Sequence, residues 1–309
     1  MNALPRISLC ILFILHGNCV FAQAAFETVE KSVAMELVSI FAENRERFGN
    51  FACRGDVLTE LVNANDRIRS TSVQFVIFER ASERLSRKAH RVDCLDGITE
   101  PGWMEFFVKK GKVKVVTGKV EMDEEYSKQF SERDWLPKDP WSWPIISCAA
   151  LELNLEDPLL WMRIFREEKL IAVQENGIFT RAEWDVGPQA RVQVYFDQRK
   201  GNMPTFCRYI IPVDKEEEFS RKSKLLTNQV ETEWAKHSDG WVPVRVRNYR
   251  EGLDAKGRVR STESWDFSID WNTRLLREKV LPDVVFEVGK LSVVDLCDSF
   301  SKGTLPTPD

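Results

Sequence analysis

Histidine is scarce in this sequence, which contains only three among 309 residues: His16, His90 and His237. A serine or cysteine nucleophile needs a histidine base, and the GxSxG pattern of many serine hydrolases is absent. No CxxC pair and no spaced histidine pair offers a zinc site. No glycine-rich phosphate loop is present either. The sequence therefore predicts no metal, no cofactor and no catalytic residue.

Two weaker catalytic patterns remain. His237 is followed by Ser238 and Asp239, but side chains on consecutive turn residues rarely converge with triad geometry. Asp266 and Asp270 share one face of a predicted strand, about 13 Å apart by strand rise, which exceeds the spacing of glycosidase carboxylates. A hydrolase that uses surface carboxylates is therefore the third alternative for function.

An excess of basic charge is also lacking. Lysine and arginine number 44 against 48 aspartate and glutamate, a formal net charge of −4. A nucleic-acid partner needs a concentrated basic face, so this balance predicts none. Long apolar runs are missing after the N-terminus, so no transmembrane segment is expected in the mature chain.

The N-terminus, MNALPRISLCILFILHGNCVFAQA, has the pattern of an export signal. One positive charge at Arg6 precedes an apolar run, and Ala22 and Ala24 suit cleavage by signal peptidase. Residues 1–24 are predicted to be a signal peptide, and the mature chain to be periplasmic or extracellular. Lipid attachment at Cys19 is the competing interpretation, but the preceding residues fit it poorly.

Five cysteines remain in the mature chain. Export would allow two disulfides and one free thiol. Buried unpaired cysteines that act as small apolar side chains are the equal alternative. The sequence leaves the pairing open for Cys53, Cys94, Cys148, Cys207 and Cys297.

The chain begins with an amphipathic helix and continues with strands. Apolar residues at spacings of three and four predict a helix over 26–48. A period of two follows at TSVQFVIFER, and EFFVKKGKVKVV predicts a hairpin that turns at Lys110 and Gly111. The prolines and tryptophans of 131–144 predict a loop, and 145–165 a helix interrupted at Pro158.

The C-terminal half predicts successive antiparallel strands. IFTRAEWDV, RVQVYFD and GNMPTFCRYII form one set, and QVETEWAK, WVPVRVRNY and RVRSTESWDFSIDW form another. A last strand pair is expected within 281–296. Residues 25–300 are predicted to be one domain, and 301–309 a flexible tail.

Alternation divides the second set into two faces. A turn between Leu253 and Asp254 would place Val246 opposite Ser261 and Val242 opposite Trp265. The apolar face includes seven candidate ligand-binding residues: Trp234, Val242, Val244, Val246, Trp265, Phe267 and Trp271. The opposite face carries Trp241, Arg245, Arg247, Tyr249, Arg260, Asp266 and Asp270, where an arginine stacked on a ring is expected.

Tryptophan is abundant, with ten residues. Trp234, Trp265 and Trp271 lie on the apolar strand face, where packing in the core is the simpler interpretation than a ligand platform. Trp135, Trp141 and Trp143 lie in the proline-rich loop, which offers few ways to bury them within a sheet. These three are predicted to contact a partner or to form a lid over the sheet.

The sequence YFDQRKGNMPTF at 195–206 has a strand that ends in Asp, a short turn and Gly-x-x-Pro before the next strand. It resembles sheet hairpins of the LolA-like superfamily, which includes periplasmic lipoprotein carriers and the regulator RseB. The C-terminal part, with WVPVRVRNY, LPDVVFEV and VVDL, resembles exported planctomycete-type proteins of that fold. The resemblance spans about residues 26–296.

The resemblance implies an α+β fold in which a curved antiparallel sheet, an unclosed half-barrel, carries the N-terminal helix and further helices on its concave face. An apolar sheet face under amphipathic helices is either filled by side chains or left as an apolar pocket. We expect a non-enzymatic exported protein that binds a hydrophobic small molecule, such as a lipid or acyl chain, or an envelope protein. A structural or interaction protein with a filled core is the alternative.

Overall fold

Fourteen antiparallel strands form one sheet in the computed structural model. The model describes residues 25–63, 67–79, 84–95, 98–109, 112–119, 122–124, 141, 165–187, 190–210, 225–253, 259–287 and 291–304. The first seven strands are β1 (27–28), β2 (50–63), β3 (67–79), β4 (84–95), β5 (98–109), β6 (112–119) and β7 (122–124). The others are β8 (170–175), β9 (179–187), β10 (190–197), β11 (203–210), β12 (225–237), β13 (240–253) and β14 (259–271).

The sheet consists of two meanders joined in the middle. Strands β2 to β7 follow one another on one side, β8 to β14 on the other, and β14 pairs with β2. Trp271 lies opposite Cys53 at one end of that junction, and Ser261 lies opposite Asn63 at the other. The edges are β1 and β7, so the sheet is not closed. The predicted fold class, an α+β protein built on a curved, unclosed antiparallel sheet, is confirmed.

The predicted N-terminal helix is present as α1 (Lys31–Glu46). Its buried residues include Ala34, Leu37, Val38 and Phe41, spaced by three and four as one helical face requires. The helix connects edge strand β1 to central strand β2 and passes over β8, β11 and β13. Most of its stability therefore comes from packing on the sheet.

The face of the sheet under α1 is called the inner face here. Because side chains alternate along a strand, Phe51 and Cys53 of β2 point to this face while Ala52 points to the other, outer face. The inner core joins α1 to both meanders through Phe41, Phe48, Phe51, Cys53, Val76, Trp184, Val194, Phe196, Val230, Trp234, Val246, Phe267 and Trp271.

A second helix, α2 (Val293–Ser301), belongs to a separate cluster on the outer face. Its Leu296 and Phe300 share that cluster with Phe75 and Ile77 of β3. The strand pair predicted within 281–296 is wrong: 283–286 form a short 3-10 helix, and α2 follows. A capping box explains the start of α2, since Ser292 and Asp295 each accept a hydrogen bond from the other's backbone N–H.

The predicted register of β13 with β14 is wrong. Val246 lies opposite Phe267, not Ser261, and Trp265 lies opposite Asn248 rather than Val242. The difference along β14, 267 minus 261, is six residues. An even slip leaves the side chains from Arg245 onward on their predicted faces. Before Arg245 the bulge at Val244 breaks the alternation, and Trp241, predicted for the opposite face, packs against the inner core.

Several predictions concern residues outside the described ranges. These are the signal peptide (1–24), the interrupted helix of 145–165 apart from its last residue, and the loop of 131–144 apart from Trp141. Within the described residues, no helix is long and apolar enough to cross a membrane.

Candidate binding site on the inner face

Trp141 lies at the centre of an aromatic cluster on the inner face and is only 1% exposed. Its ring centroid is 5.1 Å from Phe48, 5.7 Å from Phe51 and 4.9 Å from Trp271. The guanidinium carbon of Arg45 lies 4.7 Å from the centroid of the same ring. The loop tryptophan was expected to have few ways to be buried, but it fills the space between α1 and strands β2 and β14.

Hydrogen bonds fix this cluster at the start of β13. Trp141 donates its indole N–H to the carbonyl oxygen of Trp241 at 3.0 Å. Asn44 of α1 donates to the same oxygen at 2.8 Å and accepts from the Trp241 backbone N–H at 2.7 Å. The Asn44 amide therefore pairs with Trp241 as a neighbouring strand would, and it joins α1 to the sheet.

Gly240 permits this close approach. A Cβ atom at Gly240 would lie 2.5 Å from the Asn44 side-chain oxygen and 3.1 Å from Phe48. We expect Gly240→Ala to destabilise the fold by about 1–3 kcal/mol, as overpacking does. Urea denaturation measures the change. Gly49→Ala is the control, because a Cβ there meets nothing within 4 Å, and an equal loss in both variants would contradict the account.

The predicted apolar strand face lies mostly in the inner core. Five of its seven residues are buried, namely Trp234, Val242, Val246, Phe267 and Trp271. Val244 is half-buried and forms a bulge, since Glu233 pairs with Arg245 and Trp234 with Pro243. Trp265 is half-buried further along β14.

Two of these tryptophans have satisfied indole groups. Trp234 donates to the Pro204 carbonyl at 2.9 Å, and Trp271 donates to the Pro243 carbonyl at 2.8 Å. Buried indoles normally find such partners, and the bonds fix the orientation of both rings. Trp271 therefore forms a fixed apolar wall beside Trp141, and Trp234 packs against Phe41 of α1 with ring centroids 6.1 Å apart.

Beyond Val246 the inner face becomes polar. Thr232, Asn228 and Asn248 are buried, and Asn248 donates from its amide nitrogen to the Asn228 amide oxygen at 2.8 Å. We call Thr232, Asn228 and Asn248 the polar row. The row has no motif that marks it as a site, although the alternation, extended by two residues from Val230 and from Val246, reaches both asparagines.

The outer face carries paired charges. Arg245 donates to the Asp266 carboxylate, which raises the pKa of the Arg245 guanidinium through this hydrogen bond. Arg247 lies between Glu231 and Glu233. The arginine predicted to stack on Trp241 is replaced by lysines: the ammonium groups of Lys236 and Lys200 lie 5.3 and 5.8 Å from that ring centroid.

In the turn between β12 and β13 the side chains of His237, Ser238 and Asp239 lie close together. Ser238 donates its hydroxyl to the Asp239 carboxylate at 3.1 Å and lies 3.2 Å from the His237 ring nitrogen Nδ1. The Ser238 hydroxyl therefore lies between the carboxylate and the ring, and the histidine ring packs against Phe48 with ring centroids 5.9 Å apart. The contacts stabilise the turn between β12 and β13. Among the described residues, no group of three or more His, Cys, Asp and Glu could hold a metal ion.

Among the described residues, Cys207 and Cys297 are free thiols. Cys53 and Cys207 are buried in the inner core, where they act as small apolar side chains. Burial raises the pKa of the Cys207 thiol far above its usual range. Cys94 and Cys148 lie outside the described side chains.

The different burial of Cys207 and Cys297 predicts that their thiols react at different rates. With iodoacetamide at pH 8, we expect Cys297, which is partly exposed, to be alkylated at least tenfold faster than Cys207. Peptide mass spectrometry after timed quenching measures both rates, and denatured protein serves as the control. Comparable rates in the native protein would show that Cys207 is not held as a buried thiol.

Comparisons with known proteins give structural matches only. No family model and no curated protein matches the sequence. A DUF1329 family protein from Desulfovibrio piger is 8% identical, with 84% of this chain and 99% of that chain covered at a TM-score of 0.41. An outer membrane lipoprotein-sorting protein domain from Vibrio parahaemolyticus is also 8% identical, with coverage of 83% and 98% and a TM-score of 0.38.

The Pseudomonas aeruginosa MucA/MucB complex also matches, at 10% identity, with coverage of 80% of this chain and 99% of that chain and a TM-score of 0.26. The matches thus include the class of structure that the sequence resembles. All three TM-scores are below 0.5, so the matches carry no conclusion about what this chain does.

Proposed function

We propose that this chain is an exported, non-enzymatic protein that binds a hydrophobic molecule, a lipid or acyl chain, on the inner face. The observation that carries the proposal is the position of Trp141. Its ring comes from a separate segment of the chain and fills an apolar space whose walls are the rings of Phe48, Phe51 and Trp271.

This arrangement suits a site that opens and closes. The walls belong to β2, β14 and the turn between α1 and β2, whereas Trp141 lies in the predicted proline-rich loop. Movement of this one ring exposes a preformed surface of aromatic and aliphatic side chains. Largely preformed apolar surfaces with a few polar groups are typical of sites for small hydrophobic ligands.

The energies are compatible with an exchange of Trp141 for a ligand. Losing the packing of a buried tryptophan costs about 3–5 kcal/mol. Burying one methylene group gains about 0.8 kcal/mol, so roughly four to six methylenes offset that loss. Acyl chains of ordinary membrane lipids are longer than this.

Binding of the fluorescent apolar probe N-phenyl-1-naphthylamine tests the proposal. We expect the probe to bind the wild-type protein with enhanced fluorescence and to be displaced by palmitoyl lipids. Val244→Trp adds a large side chain at a half-buried position of the inner face. It should weaken probe binding at least fivefold.

Ser268→Trp provides the matched control. Ser268 is exposed on the outer face of β14, opposite Arg245, so the same new side chain there should leave probe binding unchanged. Equal effects of both substitutions would contradict a site on the inner face. Absence of any probe binding to the wild-type protein would favour the alternative of a filled core.

A further inference from the structure

The polar row adds a second requirement on the ligand. We propose that the bound molecule is an amphiphile with a neutral head group that carries a hydroxyl or amide donor, held by Thr232 and Asn248. This inference rests on the proposed function, since it names the chemistry of the molecule that the inner face takes. Two observations support it: the order of side chains along the face, and two buried oxygens.

The inner face changes from apolar to polar along β13. Trp241, whose carbonyl binds Trp141, lies at the beginning of the strand, and Asn248 lies seven residues later, about 23 Å away by strand rise. In this interval Val242 and Val246 belong to the inner core, and Val244, at the bulge, packs against it. An acyl chain along these valines would place its tail near Trp141 and its head at the polar row.

The register assembles the row from adjacent strands. Thr232 of β12 lies opposite Val246 of β13, and Val230 lies opposite Asn248. Asn228 is next on β12 and accepts from the Asn248 amide. The three polar side chains therefore form a zigzag across one strand pair, with neighbouring positions close enough for one head group to contact two of them.

Two oxygens of the row are buried and have no hydrogen-bond partner among the described residues. They are the Thr232 hydroxyl oxygen and the Asn248 amide oxygen, on residues that are 4% and 2% exposed. A buried polar atom without a partner is costly, and most such atoms in folded proteins are paired. A ligand donor would bond to the Asn248 oxygen, while the Thr232 hydroxyl can donate or accept.

The surrounding charges favour a neutral head group. Arg250 follows Asn248 by two residues and lies on the same face of β13. Its guanidinium is 3.8 Å from the Glu263 carboxylate and 5.8 Å from the Trp265 ring centroid. Its charge is therefore already compensated. A ligand carboxylate would face the Asn248 oxygen, which is an acceptor, whereas a hydroxyl or amide N–H would donate to it.

Competition with N-phenyl-1-naphthylamine separates the head groups. Monopalmitoylglycerol and methyl palmitate share one acyl chain, but only the first carries hydroxyl donors. We expect monopalmitoylglycerol to displace the probe from the wild-type protein at about tenfold lower concentration. Palmitate, with its charged head, should also be weaker than monopalmitoylglycerol.

Two substitutions locate the effect. Asn248→Leu should reduce the preference for monopalmitoylglycerol to less than twofold while methyl palmitate still binds. Thr232→Val, which keeps the side-chain shape, should reduce the preference for monopalmitoylglycerol at least threefold. If Asn248→Leu does not fold, Thr232→Val alone tests the head-group inference. Gln229→Leu is the control: Gln229 precedes Val230 on the outer side of β12, so this variant should keep the wild-type preference.

The outcomes distinguish the two proposals. Equal displacement by monopalmitoylglycerol and methyl palmitate, or a preference that survives in both Thr232→Val and Asn248→Leu, overturns the head-group inference and leaves the proposed function intact. Failure of both lipids and of the probe to bind the wild-type protein overturns the proposed function itself.

Discussion

Trp141→Ala is expected to lower the free energy of unfolding by about 3–5 kcal/mol, the usual cost of removing a fully buried tryptophan. The ring contacts Phe48, Phe51 and Trp271, and its indole N–H satisfies the Trp241 carbonyl, so the substitution leaves a cavity and removes a hydrogen bond. Urea denaturation followed by circular dichroism measures the change.

The same variant has a second, opposite effect under the proposed function. The cavity left by Trp141→Ala no longer requires displacement of the ring, so affinity for N-phenyl-1-naphthylamine should rise at least tenfold. A loss of stability without tighter probe binding would mean that Trp141 is an ordinary core residue. Val280→Ala, at a position 65% exposed, is the control and should change stability by less than about 0.5 kcal/mol.

Asn44→Leu is expected to cost about 2–4 kcal/mol. The substitution removes the bond that Asn44 donates to the Trp241 carbonyl and leaves the Trp241 backbone N–H without its acceptor. An unsatisfied buried donor costs about 1–3 kcal/mol in addition to the lost bond. Urea denaturation gives the energy, and amide hydrogen exchange at Trp241 reports the site directly, because that amide should exchange faster.

Glu43→Leu is the matched control for Asn44→Leu, since it introduces the same side chain at the adjacent, exposed position of α1. It should change stability by less than about 0.5 kcal/mol and leave exchange at Trp241 unaltered. Because Asn44 and Trp141 donate to one carbonyl oxygen, their effects should not be additive. Strict additivity in the double variant would contradict a shared anchoring point.

The sequence predicted the positions of the strands and the faces of their side chains better than it predicted the register between the strands. Alternation in β12 to β14 identified the side chains that face the core, because this period depends on local geometry alone. The register depended on the turn after Leu253. Leu253 pairs with Val259, so residues 254–258 connect the two strands instead of a tight turn between Leu253 and Asp254. Alternation assigns faces but does not show how many residues such a connection takes.

The helix α2 was missed although its signal was present. Ser292 followed three residues later by Asp295 is a capping pattern, but the two valines between them favoured a strand interpretation. The contact of Asn44 with Trp241 gives no local signal at all, since 197 residues separate the two positions. The burial of Trp141 was likewise unpredictable, because an irregular segment has no period that assigns its side chains to a face.

Native mass spectrometry of the protein purified from its own host, with lipid extraction of the same sample, tests the central claim most directly. We expect a population heavier than the mature polypeptide by the mass of one lipid, and we expect the extract to contain an amphiphile with a neutral hydroxyl or amide head group. A polypeptide that carries no hydrophobic molecule and takes up neither N-phenyl-1-naphthylamine nor monopalmitoylglycerol would contradict ligand binding on the inner face.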